Sequence, residues 1–102
     1  MIHVVAIIET APGKRAEVLE AFLALVPTVH AEQGCIEYQP VVDDEAAEGL
    51  ESAAGPDTFF VIEKWATLSD LQAHSAAAHM QAYGQQVGHL VTGRTVHVMR
   101  NA

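Results

Sequence analysis

The chain has 102 residues, half of them hydrophobic, and a formal net charge of −8. That suits one domain with a real core and gives nucleic acid or an anionic membrane surface no electrostatic hold. No apolar run approaches the roughly 18 residues of a membrane-spanning helix. The lone Cys35 cannot form an internal disulfide, so a cytoplasmic protein is expected.

The start, MIHVVAIIETAPGK, has no basic segment before its apolar residues and reads as a strand rather than a signal peptide. Residues 2 to 9 are apolar and β-branched, which predicts strand, and Pro12-Gly13 breaks it. From Lys14 to about Ala31, Val18, Phe22, Leu25, Val26 and Val29 keep helical spacing. Pro27 is expected to kink that helix or end its regular part, and Gly34 to stop it. Residues 35 to 42 predict a second strand, with Pro40 assigning it to an edge or a bulge.

Residues 43 to 57 are acidic, small and punctuated by Gly and Pro. They hold six of the thirteen acids (Asp43, Asp44, Glu45, Glu48, Glu51 and Asp57), and no Lys or Arg lies between Arg15 and Lys64. This segment is expected to be a mobile insertion loop; at about fifteen residues it is long for a strand connection. Residues 58 to 65 predict the third strand. Thr67 with Asp70 makes a capping-box-like helix start, and Ser75 is the candidate cap of a further helix with Met80, Tyr83, Val87 and Leu90 on one face. Residues 94 to 100 predict the last strand.

The order β-α-β-β-α-β is the split βαβ, or ferredoxin-like, unit: an α+β fold with a four-stranded antiparallel sheet and its helices on one face. One domain, 1–102, is expected. On the first strand Ile2, Val4, Ala6 and Ile8 oppose His3, Val5 and Ile7; on the third, Phe59 and Val61 oppose Phe60 and Ile62. Both faces are apolar, and a bare apolar face is unusual for a monomer. Sheet-on-sheet homodimerisation is therefore expected.

The helix entry Pro12-Gly13-Lys14, the strand opening Gly34-Cys35-Ile36-Glu37-Tyr38, and Glu63-Lys64-Trp65 followed by Leu71-Gln72-Ala73-His74 and His79-Met80 resemble the antibiotic biosynthesis monooxygenase family, which includes quinol monooxygenases. The resemblance covers the chain except the acidic loop. It implies a dimeric α+β barrel with one pocket per subunit between sheet and helices. It also implies oxygenation, without a cofactor, of a quinol or polycyclic phenol by molecular oxygen. The family also holds haem-degrading enzymes and a phosphorylated-autoinducer isomerase, so the fold alone leaves the reaction open. The haem-degrading branch uses a first-strand Asn, a helical Trp and an axial His. Here the first strand has no Asn, and His74 and Gly84 occupy the other two positions, which argues against haem degradation.

His74 and His79 are the candidate catalytic bases, because imidazole transfers protons near neutral pH; the alternative is a surface residue and a helix-packing residue. Trp65 is a candidate to stack on a flat substrate or a plain core residue. Tyr38 and Tyr83 are candidates to hydrogen-bond substrate oxygens, although Tyr83 on its apolar stripe fits core packing. Glu63 is either a pocket carboxylate or, by preference, half of a buried ion pair with an Arg, since an unpaired buried carboxylate is costly. His3 and His97 lack a third ligand, so no metal is expected. Cys35 has no basic activator, and no phosphate loop, dinucleotide fingerprint or nucleophile elbow is present. The other functional classes open to this scaffold are an isomerase that transfers protons without oxygen, and a non-catalytic dimeric small-molecule binder.

Overall fold

The computed structural model describes residues 1–47, 49–50 and 53–102; Glu48 and Glu51, two of the acids read in the insertion loop, and Ser52 lie outside the described residues. Four strands, β1 (Ile2–Thr10), β2 (Cys35–Val41), β3 (Thr58–Trp65) and β4 (Val91–Arg100), form one antiparallel sheet in the order β2-β3-β1-β4. Three helices, α1 (Arg15–His30), α2 (Leu68–Ala76) and α3 (Ala78–Val87), complete the α+β fold. None of them is long and apolar enough to cross a membrane.

The period of two along the strands decides which residues make the core. Val4, Ala6 and Ile8 of β1 and Phe59, Val61, Glu63 and Trp65 of β3 are buried beneath the helices. The alternate set, Val5, Ile7, Phe60 and Ile62, is only half-buried on the other face. Pro40 lies on β2, an edge strand, as its missing N–H requires. α1 supplies Val18, Phe22 and Val29 to the core.

Pro27 does not end α1, which continues to His30. The hydrogen bond that Pro27 forfeits is to the carbonyl of Leu23, one turn back, and both residues lie on the exposed side of the helix. Gly34 is not the helix stop. It follows the last turn with φ 78° and precedes β2. A Cβ there would overlap the Asp70 carboxylate of α2, so the turn after α1 docks against the start of α2.

Two further expectations are corrected. β4 begins at Val91, before Arg94. Ser75 caps nothing: it lies inside α2 and its hydroxyl donates to the Leu71 carbonyl at 3.1 Å. Ala77 separates the helices instead, with extended backbone (φ −65°, ψ 142°). The acidic segment is held by hydrogen bonds at its described ends. Asp43 accepts from the Ala54 and Gly55 N–H groups at 3.0 and 2.9 Å, which hold its carboxyl below the usual range. Asp57 accepts from Gly13 N–H at 3.0 Å, and Arg15 donates to the Gly55 and Thr58 carbonyls.

Candidate active site

A cavity of about 430 Å³ lies between the sheet and α2 and α3, within the size range of small-molecule sites. Its floor is Val4, Ala6, Ile8, Val61 and Val96 from the strands, and its far wall is Leu71, Met80, Tyr83 and Val87 from the helices. Phe22 and Tyr38 close one side, with their rings stacked at 5.2 Å and 16°. The polar groups in this lining are Tyr38, Glu63, His74, Ser75, Gln81, Tyr83 and Arg94. A mostly apolar wall with a few convergent polar groups suits a small-molecule ligand.

His74 is the best-placed of these for proton transfer. It lies on the inner face of α2 and is only 5% exposed. Its Nδ1 lies 2.9 Å from Glu32 Oε2. An ionised carboxylate only accepts hydrogen bonds, so the proton is on Nδ1 and Nε2 is left as the basic nitrogen. Trp65 packs against the imidazole at 4.7 Å between ring centroids, and Tyr38 meets it edge-on at 5.2 Å. The ring is therefore fixed on three sides.

His79 does not line the cavity. It is partly exposed on α3, and its Nε2 lies 2.9 Å from the same Glu32 oxygen. In one unbroken helix two residues five apart would point about 140° from each other. The break at Ala77 turns both imidazoles towards Glu32. Glu32 itself lies in the turn between α1 and β2, which Gly34 docks beside α2. Sequence reasoning missed this carboxylate: it lies in an irregular turn, 42 residues from His74, where no periodicity marks it.

Glu63 lines the cavity, but among the described residues it is in no ion pair. Its Oε1 accepts the indole N–H of Trp65 at 2.9 Å. Burial raises its carboxyl above the ordinary value, while the Trp65 hydrogen bond and the nearby His74 and Arg94 oppose that rise. Trp65 is fully buried and outside the cavity lining, so it holds Glu63 and His74 in place without presenting a face to the cavity. Tyr38 and Tyr83 both line it. Burial pushes the Tyr83 hydroxyl up to about 12 and the Tyr38 hydroxyl well above its usual range. Both are neutral at physiological pH and can donate hydrogen bonds.

The three side chains Glu32, His74 and His79 are also of the types that bind divalent metals. At 2.9 Å each imidazole is also within direct hydrogen-bond distance of the carboxylate. Among the described residues His3 and His97 belong to no such cluster; His3 Nε2 meets Asn101 Oδ1 at 2.6 Å.

The family model described as antibiotic biosynthesis monooxygenase matches residues 1–86. The chain is 43% identical over 89 residues to a protein named "Probable quinol monooxygenase YgiN" from Escherichia coli K12, covering 85% of each, and equally similar to its counterpart in Shigella flexneri. Among solved structures, PA3566 from Pseudomonas aeruginosa superposes with a TM-score of 0.82 at 22% identity, covering 99% of this chain and 93% of that one. Protein SO0527 from Shewanella oneidensis gives 0.82 at 26% identity, covering 98% and 89%. The chain belongs to the antibiotic biosynthesis monooxygenase family.

Proposed function

We propose that this protein is a monooxygenase acting on a quinol-like or polycyclic phenolic small molecule, with His74 as general base. The observation that carries the reading is a buried imidazole on the wall of an aromatic-lined cavity, oriented through Nδ1 by Glu32. The name of the YgiN relatives supports the substrate class.

In this reading the substrate hydroxyl meets His74 Nε2. Proton transfer there leaves a phenolate, which gives an electron to oxygen more readily than the neutral phenol does. The imidazolium that forms is stabilised by Glu32, the role a buried carboxylate plays behind a catalytic histidine. Combination of the aryloxyl radical, at a ring carbon, with the reduced oxygen forms a C–O bond, and cleavage of the O–O bond releases water. The sum is quinol plus O₂ giving hydroxyquinone plus H₂O, with all electrons supplied by the substrate. Tyr38 and Tyr83 donate hydrogen bonds to substrate oxygens, and the apolar walls exclude water that would quench the intermediates.

The half-buried outer sheet face, Val5, Ile7, Phe60 and Ile62 with the exposed Val41 and Met99, supports a homodimer joined sheet to sheet. A reducing, cytoplasmic setting fits the free Cys35, which burial and the Glu32 and Glu63 charges hold as an unreactive thiol.

One observation favours a second reading. Glu63, with its raised carboxyl, and His74 face one cavity, and an acid and a base together suit a proton-transfer isomerase. Oxygen consumption separates the two. Protein-dependent uptake on a panel of quinols, one O₂ per hydroxyquinone and corrected for autoxidation, supports the monooxygenase. Turnover that proceeds equally under argon overturns it in favour of the isomerase.

A further inference from the structure

Arg94 is not explained by the proton chemistry of the cavity. It lies on β4 opposite Ile8 of β1, on the sheet face that the helices cover, and is the cation in the cavity lining. Among the described residues it has neither an ion-pair nor a hydrogen-bond partner. The other guanidinium and ammonium groups that have partners face elsewhere: Arg15 holds the Gly55 and Thr58 carbonyls, Lys64 meets Glu37 at 3.8 Å, and Arg100 donates to the Asn101 carbonyl. In a chain with five Lys and Arg against thirteen acids, Arg94 is exposed and yet borders a mostly apolar cavity.

Its position along the sheet is informative. Arg94 pairs with Ile8, whereas Glu63 pairs with Val4. The backbone attachment points of the two side chains are thus four residues apart along β1, about 13 Å at strand rise, although their charged groups are close enough to interact. The proton-transfer group His74 lies at the Glu63 end, beside Trp65. A flat ring system that presents a hydroxyl to His74 therefore extends towards Arg94.

We propose that Arg94 is a specificity-determining residue that selects aromatic substrates bearing a carboxylate at the end remote from the reacting hydroxyl. The guanidinium fork matches a carboxylate in a bidentate way that an ammonium does not. The inference deepens the quinol-oxygenase reading by naming a substrate class. It rests on that reading only for the identity of the cavity as the substrate site.

Equilibrium binding of redox-inert probes tests it independently of any turnover. 2-Naphthoate and its neutral isostere 2-naphthamide are titrated into the full chain by calorimetry, with Trp65 fluorescence as a second readout. The wild-type protein is expected to bind the naphthoate about ten-fold or more tightly than the amide, the range of a hydrogen bond to a charged group. Arg94→Gln is expected to remove the preference by weakening the naphthoate alone, and Arg94→Lys to restore part of it. Because Arg94 is exposed on an edge strand, both variants are expected to fold, and circular dichroism checks this. Equal affinity for the two probes, no binding of either at millimolar concentration, or a preference that survives Arg94→Gln would overturn the inference. Failure of every quinol to consume oxygen would leave the Arg94 result standing and remove only the oxygenase reading.

Discussion

Glu32 Oε2 lies 2.9 Å from His74 Nδ1, and this contact joins a turn after the first helix to the inner face of the second. It fixes both the tautomer and the direction of an imidazole on the cavity wall. Glu32→Gln keeps the size of the side chain but replaces a charged acceptor with a neutral amide. Turnover is expected to fall between about 10²- and 10⁴-fold, as when the carboxylate behind a catalytic histidine is neutralised, with little change in the far-ultraviolet spectrum. Steady-state oxygen uptake measures the loss.

His79 shares the same Glu32 oxygen but lies outside the cavity lining. Its role in this account is to restrain Glu32. His79→Ala is expected to lower turnover by about ten-fold or less, the effect of one net hydrogen bond, and His79→Gln to recover part of it. A loss as large as that of a His74 substitution would make His79 the base instead. Paired oxygen-uptake rates for the two single variants decide between these roles.

Only part of this site is legible in the sequence. The third strand is read to the residue, because the run TFFVIEKW between Asp57 and Ala66 is bounded by turn chemistry on both sides. The two-faced strands and the element order give the antiparallel sheet. The helix break is misplaced at Ser75, because its hydroxyl has two uses: capping a new helix, or bonding back to a carbonyl four residues earlier within the same one. The second prevails. Glu32 carries no local signal, since its partners are chosen by the docking of Gly34 against Asp70. The ion pair expected for Glu63 is replaced by the Trp65 indole two residues along the same strand face, a contact that the period of two permits but does not announce. Arg94 reads as an ordinary strand residue until the register places it above Ile8.

Glu63 gives a prediction about pH. Burial raises its carboxyl above the ordinary 4.5, so the folded chain binds that proton more tightly than the unfolded chain does. Its contribution to stability is complete below the unfolded value and is lost as pH rises through the higher folded value. Glu63→Gln keeps an oxygen for the Trp65 N–H and removes the charge. The variant is expected to melt above the wild type at pH 8, with the gap closing as pH falls to 4. Thermal melts across that range check it, and a gap that is absent or grows towards low pH contradicts it.

The outer sheet face gives a prediction about assembly. Phe60 and Ile62 point away from the helices. Ile62→Glu places a charge in the middle of the proposed interface and leaves the helix-side core untouched. The wild type is expected to sediment at twice 10.9 kDa and the variant at the monomer mass, with loss of thermal stability because the freed face is apolar. Sedimentation velocity of both proteins measures the change.

The central claim is that His74 removes the substrate proton, and its most direct test is oxygen uptake by wild-type protein and His74→Ala on the same quinol. The expected result is protein-dependent uptake that falls by about 10²- to 10⁴-fold in the variant while melting temperature and dimer mass stay close to wild type. Uptake that is unchanged in a folded His74→Ala protein would contradict the account, because the cavity would then oxidise its substrate without the imidazole that lines it.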